Sequence, residues 1–142
     1  MNLEIKLVPP KAVHSWIPGL RKYLAKSEFW TKGRATAVDI IEFLISGQMY
    51  LWVVTDENFK PWGYVITELR DYPRCKVLTV QYCAGESGYM RFIEDRMYDT
   101  LDQFAKSAGC AGIEFFGRKG WESHVKKHGY KMNTVVYERF FQ

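Results

Sequence analysis

The sequence is poor in the residues that staple or metallate small proteins. Its three cysteines, Cys75, Cys83 and Cys110, are odd in number and form no Cys-x-x-Cys pair. Neither a disulfide framework nor a zinc site is expected, and a reducing compartment is. The histidines, His14, His124 and His128, show no metal-ligand spacing. No apolar run reaches the roughly 18 residues of a membrane span, and Ile40 to Ile45 is broken by Glu42. The opening Met-Asn-Leu-Glu-Ile-Lys lacks the basic flank and apolar centre of a signal peptide. The expectation is therefore a soluble, cytoplasmic chain, or a virion component if viral, with no membrane partner. A dense basic stripe is missing too. The formal charge is +4, with Lys and Arg scattered in small groups such as Lys126-Lys127-His128, so nucleic acid is not an expected partner. Repeats, linkers and low-complexity stretches are absent, and 142 residues fit a single domain over 1–142.

What the chain does have is aromatic surface: nine Tyr, nine Phe and five Trp, enough for a core and for an aromatic binding face. Periodicity gives the elements. Leu3 to Val8 alternates as a strand and Pro9-Pro10 ends it. Val13, Trp16, Ile17, Leu20 and Leu24 share a helical face, and Pro18-Gly19 within it predicts a break or kink. Ser27 to Ala35 reads as a loop. Thr36 with Asp39 predicts the cap of a second helix closed by Gly47. Met49 to Thr55, Trp62 to Leu69 and Lys76 to Cys83 read as three antiparallel strands joined by turns. Met90, Ile93, Met97, Leu101, Phe104 and Ala108 line one face of a long helix ended by Gly109. Ala111 to Phe116, a short helix from Gly120 to His128, and a final strand from Thr134 to Phe141 complete the chain. The order β-α-α-β-β-β-α-β-α-β predicts one α+β (mixed α/β) domain, with the crossover through the long helix parallel and right-handed.

The most informative stretch is the third strand of the run, the glycine-bearing turn Gly85-Glu86-Ser87-Gly88, and the helix that follows. Backbone N–H groups in the first turn of a helix have no partner within it, so a strand, a short glycine turn and a helix N-terminus make an anion site. Arg118 and Lys119, just beyond the next strand, fall at the same sheet end and offer cations or a wet loop.

This element order and this turn resemble the GNAT acyltransferase superfamily over essentially the whole length. The turn Ala84-Gly85-Glu86-Ser87-Gly88-Tyr89 takes the place of the family's pyrophosphate turn, and Val80 to Cys83 the place of its pantetheine-facing strand. Lys126-Lys127-His128-Gly129-Tyr130 resembles the late helix that ends in Gly and an aromatic residue. The departures are specific. Gly85 stands where the family has Gln or Arg, Met90 where a small residue is usual, and Val125 where a Tyr acid is frequent. Gly117-Arg118-Lys119-Gly120-Trp121 also resembles compact GNAT-like proteins of bacteriophages.

The resemblance implies a GNAT-like fold, a central mixed sheet of about six strands with about four helices. It implies acetyl-CoA or another acyl-CoA as co-substrate, no metal, and acyl transfer to a primary amine on a small molecule or protein. Cofactor binding would fall to Tyr82, Cys83, Ala84, Gly85, Glu86, Ser87, Gly88, Tyr89 and Arg118, and acid–base work to Glu68, His124 and Tyr130. Cys83 also reads as an acyl-accepting thiol or a buried small hydrophobe. The alternative reading is a catalytically inactive GNAT-like domain that serves as an interaction or structural module, with a protein partner or a homo-oligomer left open.

Overall fold

The computed structural model describes residues 2–141. Five strands form one mixed sheet in sequence order: β1 (Glu4–Val8), β2 (Tyr50–Thr55), β3 (Pro61–Asp71), β4 (Lys76–Gly85) and β5 (Gly112–Phe115). The first four are antiparallel neighbours, and β4–β5 is parallel, as the crossover through a helix requires. Helices α1 (Val13–Trp30) and α2 (Ala37–Ser46) cover one face, where Leu20, Tyr23, Ile40, Leu51, Tyr64 and Ile66 make the core. Helix α3 (Met90–Ser107) covers the other, with Met97 and Leu101 fully buried against Trp52, Val65 and Leu78. A short helix, α4 (Glu122–Lys127), follows β5. The mixed α+β architecture is the expected one.

Helix α2 begins as its sequence dictates. The Thr36 side chain accepts from the Asp39 N–H (3.2 Å), and the Asp39 carboxylate accepts from the Thr36 N–H (2.9 Å). Three expectations are corrected. Helix α1 runs unbroken through Pro18, and its last turn absorbs Ser27 to Trp30, which read as loop. Pro18 is only the sixth residue of the helix, so its missing N–H leaves a single carbonyl near the start without a partner. The burial of Val13, Leu20, Tyr23 and Leu24 outweighs that loss. The expected strand Thr134–Phe141 is not formed, so the sheet has five strands rather than six among the described residues. Its β-branched and aromatic residues fit a pleated surface. Here, however, Arg34 takes Glu138 at 2.6 Å and lies over the Phe140 ring at 4.9 Å, which draws this segment toward the α1–α2 loop.

Two features fix the end of β4. Gly63 on β3 faces Gly85 on β4, and the Tyr89 ring lies over the pair. A Cβ on Gly85 would stand 2.6 Å from the Tyr89 ring and 2.7 Å from the Trp62 carbonyl oxygen. This explains why a glycine replaces the long polar residue expected there: Tyr89, 5% exposed, fills that space and pins the turn to the sheet. Gly85→Ala is expected to cost about 1–3 kcal/mol through overpacking. Gly120→Ala, with open space around its Cβ, should stay within about 0.5 kcal/mol of the parent. Urea unfolding of both variants checks the contrast.

Candidate functional site

The site grows from an irregularity in β4. Ile66 pairs with Tyr82 and Thr67 with Val80, so Gln81 is an extra residue on β4, a β-bulge. On its other edge β4 pairs with β5 only from Val77 to Val80, with a last bond from the Phe116 N–H to the Val80 carbonyl (3.1 Å). Beyond it the two strands part. The Glu86 N–H donates to the Trp62 carbonyl at 2.8 Å. The antiparallel ladder therefore alternates so that Cys83 and Gly85 turn their backbone groups to the open edge. Lys26 Nζ donates to the Gly85 carbonyl there at 3.0 Å.

The gap opens into a cleft of about 1430 Å³, walled by Tyr82 and Cys83 on one side, Phe115 and Arg118 on the other, and Trp121 and Tyr130 beyond. The volume exceeds that of an ordinary small-ligand pocket. Its cations include Arg118, Lys119 and Lys126, and the Arg118 guanidinium stacks over Trp30 at 4.5 Å. At the end of β4 the turn presents the Ser87 and Gly88 N–H groups with no hydrogen-bond partner among the described residues. They lie at the N-terminus of the 18-residue α3. Gly88 adopts φ +77°, a left-handed turn that glycine makes without strain. Met90 packs into the core instead of into the turn's outer space. Glu86 is drawn away from the turn: it accepts from Lys22 and from the Tyr23 hydroxyl (3.0 Å), and these bonds, Lys22 foremost, hold its carboxyl below the usual range.

The candidates predicted from sequence separate into groups. Tyr82, Cys83, Arg118 and Tyr130 meet at the cleft. Ala84 turns into the core under α1, Gly85 ends β4, and Glu86 to Tyr89 form the turn that follows, none of them lining the cleft. Glu68 lies on the α1/α2 face of β3, 3.5 Å from Arg70. His124 points to α3, where Nδ1 meets the Glu94 carboxylate at 3.1 Å, outside the cleft wall. His128 shares that carboxylate at 3.5 Å and stacks on Tyr98 at 3.8 Å. The two late histidines thus clasp α4 to α3.

Burial sets the chemistry of the cleft. It pushes the Cys83 thiol up to about 12, with Arg118 opposing, so the thiol stays protonated in the α3-side core. The Tyr130 hydroxyl is pushed up to about 12 by burial first, then by Asp102 and Cys83, and it has no hydrogen-bond partner. The Tyr82 hydroxyl is raised by burial, then by Glu68 and Asp39. Sequence reasoning missed Lys22, Lys26 and Trp30; helical spacing places Lys22 and Lys26 on one face of α1, but nothing local says that this face meets the turn.

By sequence the chain matches no family model and no curated relative. By structure it resembles N-acetyltransferases along its whole length. An aminoglycoside acetyltransferase, HMB0005, from an uncultured soil metagenomic sample superposes with a TM-score of 0.73 at 13% identity, covering 100% of each chain. The GCN5-related N-acetyltransferase of Ralstonia eutropha JMP134 gives 0.72 at 13% identity, covering 98% of this chain and 99% of that one. The ribosomal-protein-alanine N-acetyltransferase of Brucella melitensis biovar Abortus 2308 gives 0.71 at 14%, covering 99% of each. The chain has the GNAT N-acetyltransferase fold.

The buried acids carry a pH signature. Cys83 ionises near its ordinary 9.0 when unfolded and at about 12 when folded. Stability from this difference is complete below about 9 and is lost as pH rises toward 12, because the unfolded chain then binds fewer protons. The melting temperature is expected to hold up to about pH 9 and fall above it. In Cys83→Ala the fall above pH 9 should be shallower, carried there by Cys110, whose thiol burial also raises, and should steepen above 10.0, the ordinary value for the raised tyrosines such as Tyr130. Thermal melts across that range check both.

Proposed function

We propose that the protein is an acyl-CoA-dependent N-acyltransferase, binding the coenzyme where β4 and β5 part and transferring its acyl group to a primary amine. The observation that carries this reading is the open edge of β4 from Cys83 to Gly85, continuous with a basic cleft and with the unpartnered N–H groups of the turn. The chain fits an acyl-CoA in three respects. Ser87 and Gly88 supply N–H donors for a diphosphate at a helix N-terminus. Lys26 and Arg118 supply cations near it, and Lys22 offsets the charge of Glu86. The edge of β4 supplies backbone groups for an extended amide-bearing arm, as an added strand would use.

The coenzyme, when bound, supplies the thioester. The chain's own groups do the rest. The Cys83 N–H on the open edge donates to the carbonyl oxygen as it gains negative charge. Glu68, on the face shared with Tyr82 and three residues along β3 from the position opposite Cys83, takes the amine proton through a chain of waters. Tyr130, protonated at neutral pH and without a partner, donates to the departing sulfur. His124, committed to Glu94, has no part in this scheme. The neighbours named for aminoglycosides and for glucosamine-6-phosphate support a small amine-bearing acceptor.

A melt with acetyl-CoA at about a hundred times its dissociation constant should show roughly 2.7 kcal/mol of stabilisation. Ser87→Glu, which adds a carboxylate at the turn while sparing the left-handed Gly88, should abolish the shift. Tyr130→Phe should keep the shift and lower kcat at least about tenfold. Absence of any shift in the parent protein would contradict the reading and favour an interaction module.

A further inference from the structure

The acceptor side of the sheet carries a row of side chains of which the transfer chemistry uses only Glu68. Glu68 on β3 faces Thr79 on β4, and Thr79 faces Glu114 on β5, so the three stand in one row across the sheet. They share a face. Leu78, Val80 and Ile113 turn into the α3 core, so Thr79 and Glu114 stand on the opposite side; Glu68 lies there as well, in step with Tyr64 and Ile66. The Thr79 side chain is 0% exposed and its hydroxyl has no hydrogen-bond partner. A buried hydroxyl left without a partner is costly and rare. Beside it, Glu114 is half-buried, lines the cleft, and has no ion-pair partner among the described residues. Arg70 is the cation facing this row; it meets Glu68 at 3.5 Å and lies over the half-exposed Phe116 ring at 5.5 Å. Two carboxylates and one guanidinium leave one negative charge, at Glu114.

Resting on the acyltransferase reading, we infer that the acceptor is a diamine or polyamine, whose second ammonium group is held by the Glu114 carboxylate with the Thr79 hydroxyl while its other nitrogen reaches the β4 edge. The Phe116 ring beside Glu114, half-exposed, supplies apolar contact for the intervening chain. The spacing sets the length. Thr79 faces Glu68 and Cys83 faces Val65, three residues apart on β3 because Gln81 is bulged, so the two lie roughly 10 Å apart along the strand. With each nitrogen standing beside its partner, the two nitrogens lie on the order of 10 Å apart, an extended chain of about seven or eight carbons.

Calorimetric titration of 1,8-diaminooctane against octylamine tests this without turnover. The diamine is expected to bind at least tenfold more tightly. Glu114→Gln should bring it to the octylamine level and leave the acetyl-CoA melt shift intact, and Thr79→Val should weaken the diamine selectively. Equal affinities for the two amines, or a Glu114→Gln protein that binds the diamine as the parent does, would overturn the inference even with the coenzyme shift present. Tight, Glu114-dependent diamine binding without a coenzyme shift would uphold the amine site and sink the acyltransferase reading on which its role as an acceptor rests.

Discussion

The parting of β4 from β5 after Val80 is the constraint on which the rest of the structure depends. A strand such as β4, with a neighbour on each side, normally has both of its edges in hydrogen bonds. Here the Gln81 bulge turns β4 away, and the backbone groups of Cys83 and Gly85 are left facing a cleft. Unpaired strand edges are a liability in most proteins, and native folds cover, charge or shorten them. This edge is short, flanked by Lys26 and Arg118, and leads directly to the N-terminus of α3. An exposed edge, a field of cations and a helix N-terminus all suit one long anionic ligand with amides along its length.

The core exists to hold that geometry. Tyr89 packs over a pair of facing glycines and ties the turn to β3 and β4. Tyr64 bonds to Ser27 (2.6 Å) and to the Tyr23 carbonyl (3.0 Å), which fixes α1 against the sheet and sets Lys22 and Lys26 beside the turn. On the far side, His124 and His128 share Glu94, so α4 and Tyr130 keep their position over the cleft. Side chains that read as chemical candidates in isolation are in several cases the supports of the site.

Much of the fold was legible because it rests on local rules. The Thr36–Asp39 cap, the apolar stripe from Met90 to Leu101 and the glycine stop at Gly109 each announce their element within a few residues. The turn from Gly85 to Gly88 was legible for the same reason. What escaped depends on contacts distant in sequence. Nothing near Pro18 says that its helix face is buried deeply enough to carry the chain through. Nothing in Thr134 to Phe141 shows that Arg34, some hundred residues earlier, takes Glu138. Gly85 looked like a defect in the turn until Tyr89 was seen to fill its space. His124 looked free because Glu94 sits a helix away. The bulge at Gln81 leaves no mark in composition, since any residue can be the extra one.

Backbone amide shifts during an acetyl-CoA titration, followed by nuclear magnetic resonance, test the central claim most directly. The account predicts that the amides of Cys83, Ser87 and Gly88, all unpaired in the free protein, move furthest. Glu86, whose N–H already reaches the Trp62 carbonyl, should move less. Silent Cys83, Ser87 and Gly88 amides in a titration that shifts signals elsewhere would contradict it.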